Sequence, residues 1–144
     1  MANVVPNAFK GELLSGTHNF ASGGDSFKLA LYTANPYTTS STAYSSGAGN
    51  EVLGSAPGYS TGGSALTSQA VASSTATASV DFANLTFSSA TFSAAFGAIY
   101  NDDKSDKLVV ILDFGGTKTA TNGDFTIAFP DPSTPSNAII SLTS

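Results

Sequence analysis

The chain reads as an all-β protein, an antiparallel β-sandwich of jelly-roll-like arrangement with one short N-terminal helix. Three observations lead there. From Ser26 onward, short segments place large apolar side chains at every second residue, the period of a strand with one buried face. Clusters of Asn, Asp, Gly and Ser separate those segments at turn-like intervals. Only residues 7–15 space their apolar side chains as a helix does. Many short strands joined by polar turns, with almost no helix, are the pattern of a sandwich.

Residues 7–15 form the expected helix, with Asn7 as its cap, Phe9, Leu13 and Leu14 toward one face, and Gly16 as the stop. A helix this short is marginal alone, so it must dock on its own sheet or on a neighbouring subunit. In residues 26–33, Phe27, Leu29 and Leu31 alternate with Lys28, Ala30 and Tyr32, the signature of a strand. The pattern then lapses. Residues 34–63 are rich in Ser, Thr, Gly, Asn and Pro, with Tyr37, Tyr44, Val52, Leu53 and Tyr59 as the large apolar points. A wholly structureless loop of that length is unusual in a compact domain, so a short element is expected near residues 50–53.

Strands resume after Ala65. Residues 66–72 are a weak segment, while Ala76, Ala78, Val80 and Phe82 alternate with Thr77, Ser79 and Asp81. Residues 91–100 are apolar on both sides, as in a strand covered on both faces. Residues 107–114 are the most β-prone stretch, residues 124–129 set Phe125, Ile127 and Phe129 on one face, and residues 138–142 make a last strand. Residues 101–106 and 115–123 are read as the connecting turns, the second ending in the tight-turn dipeptide Asn122-Gly123.

At 144 residues the chain is expected to form one domain, with residues 1–16 as an N-terminal arm and 34–63 as a long excursion. A domain of this size buries roughly 70% of the surface its unfolded chain exposes. Charged residues make up 10% of the chain, against about 25% in ordinary globular domains. There is no Cys, Arg or Trp and a single His, so neither disulfides nor thiol chemistry is available, and an enzyme is not expected. The net charge is −5 and the five lysines are scattered; nucleic acid, which is bound by dense Lys and Arg, is not an expected partner. The first residues lack the basic and apolar regions of a secretory signal, and no window is long and apolar enough to span a membrane, so no membrane partner is expected.

The motifs that could carry chemistry each have a plain structural reading. Asn101, Asp102, Asp103 and Asp106 offer oxygen ligands of the type Ca²⁺ takes, but their spacing fits no EF-hand loop, Lys104 interrupts them, and Asp and Asn are ordinary turn residues. Asp113 interrupts an apolar strand without an obvious acid or base mate, so it is expected at the strand end or beside a lysine. His18, the single His, could hold a metal only on a symmetry axis shared by three copies; a hydrogen-bonded His is the simpler reading. Residues 58–63 are glycine-rich but lack the lysine of a phosphate loop. The Thr75, Thr77 alternation does not persist as a ladder. No metal and no cofactor is expected.

Several segments carry a likeness to a known group. Phe27-Lys28-Leu29-Ala30-Leu31-Tyr32-Thr33, Gly58-Tyr59-Ser60-Thr61-Gly62-Gly63-Ser64-Ala65-Leu66-Thr67 and Ala98-Ile99-Tyr100-Asn101 are three of them. Val110-Ile111-Leu112-Asp113-Phe114-Gly115 and Asn122-Gly123-Asp124-Phe125-Thr126-Ile127 are the others. In this order the chain resembles small virion proteins of tailed bacteriophages, of the head decoration or cement type, over roughly residues 8–130. The resemblance implies a structural role on the capsid surface, manufacture in the host cytoplasm, the major capsid protein as partner, and a homotrimer. Low charge and Ser/Thr-rich surfaces suit such contacts. Phe9, Leu13, Leu14, Tyr37, Tyr44 and Tyr59 are the candidate interface residues, the tyrosines being read as exposed. The alternative is a tail or fibre component that binds host-surface glycan by stacking those tyrosines on sugar rings; a cell-wall hydrolase lacks an assignable acid pair or Ser-His-Asp set.

Overall fold

The computed structural model describes residues 3–130 and 138–144; residues 1 and 2 of the expected arm lie outside them. As the sequence predicts, the protein is mostly β, with two antiparallel sheets and one short helix. The strand order, which the sequence left open, is β2-β1-β5-β6 in the larger sheet and β3-β4-β7 in the smaller.

The helix α1 spans Asn7–Leu14 and buries Phe9. Its end follows the sequence reading: Gly16 is left-handed at φ 72°, its N–H donates to the Leu13 carbonyl, and the Thr17 N–H donates to that of Glu12, which is the Schellman closure. Its start does not. Pro6 occupies the cap position without a side-chain bond, and the Asn7 carboxamide instead accepts from Lys10. Asn7 already lies in the first turn, and its backbone N–H is satisfied by the Thr39 carbonyl.

The first strand, β1 (Phe27–Tyr32), sits inside the larger sheet between β2 (Ser64–Ala65) and β5 (Leu85–Asn101). The sequence predicted one buried face for β1; both are covered. Phe27, Leu29 and Leu31 enter the main core with Phe9, Phe20, Phe82, Phe87, Phe92 and Phe125. On the other face, Ala30 and Tyr32 join Tyr37, Ala98, Tyr100, Leu108 and Ile111 in a second core. What covers that face is the excursion after β1. The expected element near residues 50–53 is a single bridge, Tyr32 to Glu51, in which Val52 N–H donates to the Leu31 carbonyl and Thr33 N–H to that of Asn50.

The chain returns to β1 through a passage that only glycine permits. A Cβ on Gly63, at φ 77°, would lie 1.8 Å from the Leu29 carbonyl oxygen. Leu66 is buried just beyond β2, so the weak segment 66–72 is divided, and β3 (Ala70–Ser73) starts only at its end. The small sheet is completed by β4 (Thr77–Asp81) and β7 (Ile140–Thr143), in the register Val80↔Ile140 and Ala78↔Leu142.

The largest departure from expectation concerns β6 (Lys107–Ile127). Residues 115–123 do not turn the chain. They continue a long strand that pairs with β5 from Asn101↔Lys107 to Leu85↔Ile127, so the segments expected as separate strands are the two ends of one. Register shifts fall at Phe87/Ala90, Ala90/Phe92, Ala94/Phe96 and Ile99/Tyr100, and Ser89, Gly115, Gly116 and Asn122 have positive φ. The left-handed residues that read as a hairpin are used for β-bulges, which bend a strand without reversing it. The true hairpin is the 3₁₀ turn Asp102–Lys104, where one was expected.

Candidate functional site

Two polar clusters and one apolar groove bring together most of the side chains with chemical character. The first cluster lies where α1, the loop before β1 and the β5-β6 turn meet. The His18 side chain is fully buried, tilted against the rings of Phe9 and Phe20. The Asn101 amide nitrogen donates to His18 Nδ1 at 2.9 Å and to Asp25 Oδ2 at 2.8 Å, while its oxygen accepts from the Asp103 N–H. These partners fix the amide's orientation, so Nδ1 accepts and Nε2 bears the hydrogen given to Glu12 Oε2 at 3.0 Å. Glu12 also pairs with Lys107 at 2.5 Å, and Asp25 with Lys104 at 3.5 Å. The contacts run Lys107, Glu12, His18, Asn101, Asp25, Lys104, a chain with a cation at each end.

Burial pushes the Glu12 carboxyl up, but hydrogen bonds from Lys107 and His18 and the charge of Lys107 outweigh it and hold it below its ordinary range. Asp25 behaves alike: burial raises it, and hydrogen bonds from the Asn19 N–H and from Asn101, together with Lys104, bring it below the usual value. Both ring nitrogens of His18 are engaged within the chain.

The second cluster pins the excursion to the sheet. Glu51 accepts from the Tyr44 hydroxyl at 2.9 Å, the Tyr59 hydroxyl at 2.7 Å and the Gly62 N–H at 2.6 Å. Tyr59 in turn accepts from the Leu31 N–H of β1, and Tyr100 donates to the Gly62 carbonyl while stacking on Tyr44 at 4.5 Å. Tyr32 and Tyr37 share a hydroxyl bond of 2.9 Å. Burial first, and then the bond to Glu51 and its charge, push the Tyr44 hydroxyl far above its ordinary range. At Tyr59, burial and Glu51 outweigh the opposing Leu31 amide.

The three tyrosines expected at the surface are therefore turned inward. Tyr37 and Tyr59 are buried and Tyr44 half-buried, because the excursion folds back on the sheet: Tyr37 and Tyr44 pack in the second core, while Tyr59 enters the main core against Phe87 and Phe92. Phe9 is 2% exposed and belongs to the main core, and Leu13 is partly buried against it. Of the six candidate interface residues, Leu14 alone stands out into solvent, at 89% exposure. Val71 and Leu142, at 55% and 57%, were not singled out from sequence. Leu142 had a signal: Ile140 and Leu142 alternate with Ser141 and Thr143, marking one apolar face. These exposed groups border the space between α1 and the small sheet. A groove of about 290 Å³ is lined by Phe20, Val71, Ala78 and Val80, and a second, of about 500 Å³, by Phe9, Lys10 and Leu14. Leu13, Ile140 and Leu142 line both.

The acids of the β5-β6 turn do not converge. Asp102 pairs with Lys28 at 3.0 Å, and Asp103 accepts from the Ser26 N–H. Among the described residues no group of three His, Cys, Asp or Glu side chains is placed to hold a metal ion. Asp113 accepts from the Gly115 N–H at the start of the bulged region. Among the described residues no helix is long and apolar enough to cross a membrane.

No family model, curated protein or solved structure matches this chain. The site is thus read from its own geometry. The two polar clusters act as fasteners between loops and sheet, and the grooves beside α1 gather Leu14, Val71 and Leu142, while Leu53, also exposed, stands apart from them.

Proposed function

We propose that the chain is a structural virion protein that decorates a phage capsid, bridging capsomers as a homotrimer on the major capsid protein and performing no catalysis. It is made in the host cytoplasm and carried on the capsid surface. The observation that carries this reading is the grouping of Leu14, Val71 and Leu142 around the groove between α1 and the small sheet. Large apolar side chains clustered on a surface favour burial against another protein, and a decoration protein needs only modest contacts repeated over many copies. The engagement of Glu12, His18, Asp25 and Glu51 in fastening loops supports a structural use of the chain's few ionisable groups. The glycan-binding reading rested on exposed tyrosines, and their inward placement removes that support.

A cryo-EM reconstruction of the virion whose genome encodes the chain is the test. Density bridging capsomers on the icosahedral shell is the expected result; density confined to the tail would overturn the reading. Sedimentation of the purified chain with empty heads gives a second measure, in which Leu14→Glu is expected to weaken association. Deleting residues 1–16 is a poorer probe, since it removes Phe9 from the core.

A further inference from the structure

The small sheet ends, among the described residues, on an edge that pairs with nothing. Its alternation can be read from two backbone bonds. Ser144 N–H donates to the Ala76 carbonyl, so the residues of β7 that bond to β4 are Ser144, Leu142 and Ile140. Ser74 N–H donates to the Thr77 carbonyl on the other side of β4, in agreement. Ser141 and Thr143 therefore direct their N–H and C=O groups outward, away from β4.

Proteins usually blunt such edges with charge, proline or a bulge. The strand Ile140-Ser141-Leu142-Thr143 has no charge and no proline. Along it lies the groove of about 500 Å³ whose far wall is Phe9, Leu13 and Leu14. Among the described residues Lys10 is the one charged group lining it, and its ammonium meets the Asn7 carboxamide at 3.3 Å.

We propose that this edge and groove take an extended segment of another protein as a fourth strand of the β3-β4-β7 sheet. Ser141 and Thr143 supply the main-chain bonds. Alternate apolar side chains of the segment enter between Leu142 and Leu14, and an acidic side chain at one end meets Lys10. Strand addition of this kind draws affinity from the backbone and selectivity from the pockets beside it. The charge argues against a second copy as occupant: symmetric pairing through β7 presents the same strand from both sides, and β7 has no anionic side chain to offer Lys10. The inference stands whether or not the chain decorates a capsid.

The test is titration of the ¹⁵N-labelled full chain with short acetylated peptides of alternating Val and Thr ending in Glu, against peptides of the same composition broken by a central Pro. The expected result is slowed amide exchange at Ser141 and Thr143 and at least about tenfold tighter binding of the unbroken peptides. Thr143→Pro, which deletes an outward N–H and spares the backbone bonds to β4 while losing the exposed hydroxyl contact with Thr77, and Leu14→Glu are each expected to cut binding about tenfold or more. Lys10→Glu is expected to shift preference to Lys-ended peptides. Equal binding of both peptide sets, or an unchanged affinity in Thr143→Pro, would overturn the proposal. So would sedimentation showing that the chain dimerises and that Thr143→Pro restores the monomer, because the occupant would then be a second copy.

Discussion

The imidazole of His18 and the side-chain amide of Asn101 meet at 2.9 Å although 83 positions separate them in the chain. Asn101 is fully buried and is held from three sides, by His18, Asp25 and the Asp103 N–H. Replacing it leaves the buried His18 Nδ1 without a partner and takes one bond each from Asp25 and the Asp103 N–H. Asn101→Leu is expected to cost about 2–4 kcal/mol, read as a lower urea midpoint at unchanged slope. In the native chain, long-range ¹H–¹⁵N spectra are expected to place the ring hydrogen on Nε2; a hydrogen on Nδ1 would contradict the geometry.

Glu12 and Asp25 are both held below their ordinary values in the folded chain. The unfolded chain therefore binds more protons in the acid range, and stability rises with pH there. The contribution is complete above the unfolded values, near 4.5 and 3.8, and is lost as pH falls through the folded ones. The part of the urea midpoint supplied by these two carboxylates is expected to hold steady from neutral pH to about 5 and to fall below it. In the double variant Glu12→Gln, Asp25→Asn, the acid slope should be shallower.

The Glu51 cluster sets the opposite end of the pH range. Tyr44 and Tyr59 resist ionisation when folded, whereas unfolded tyrosine titrates near 10.0, so stability is present below that value and lost above it. Glu51→Gln removes the charge but not the burial, and phenolate absorbance should rise at lower pH than in the native chain while remaining above the ordinary tyrosine range. The same substitution is expected to cost about 1–3 kcal/mol at neutral pH.

Two glycines separate conformational from steric demand. Gly63→Ala drives a methyl into the Leu29 carbonyl at a positive φ and is expected to cost about 3 kcal/mol or to prevent folding. Gly11 lies within α1, where an added methyl would meet nothing within 4 Å. Gly11→Ala should stabilise by about 0.5–1 kcal/mol. Thermal melts of the two variants give the contrast directly.

What could be read in advance was local. Gly16 ends α1 because its missing side chain allows the left-handed closure, and the alternation of Phe27, Leu29 and Leu31 marks β1 whatever covers its other face. Asn122-Gly123 misled for a physical reason: the left-handed backbone that closes a tight turn also makes a bulge, and only the partner strand, here Ala90 opposite Gly123, decides which. The tyrosines misled in the same way. Nothing within residues 34–63 reveals that Tyr37 and Tyr44 will return to Tyr32 and Tyr100. The Glu51 and Asn101 contacts depend on pairings across the fold and had no signal in sequence spacing.

The pairing of β1 with β5, Phe27 against Asn101, has a kinetic corollary. Strands β5 and β6 are joined by a short turn and can zip together locally, whereas β1 must find its partner across a long intervening segment, after the loop-closure entropy of that segment has been overcome. The chain should therefore refold slowly, in the millisecond-to-second regime of non-local β proteins, with amides of β5 and β6 protected before those of β1. The burial of His18 against Asn101 then marks a late event, the moment at which the amino-terminal region seals onto a ribbon already formed.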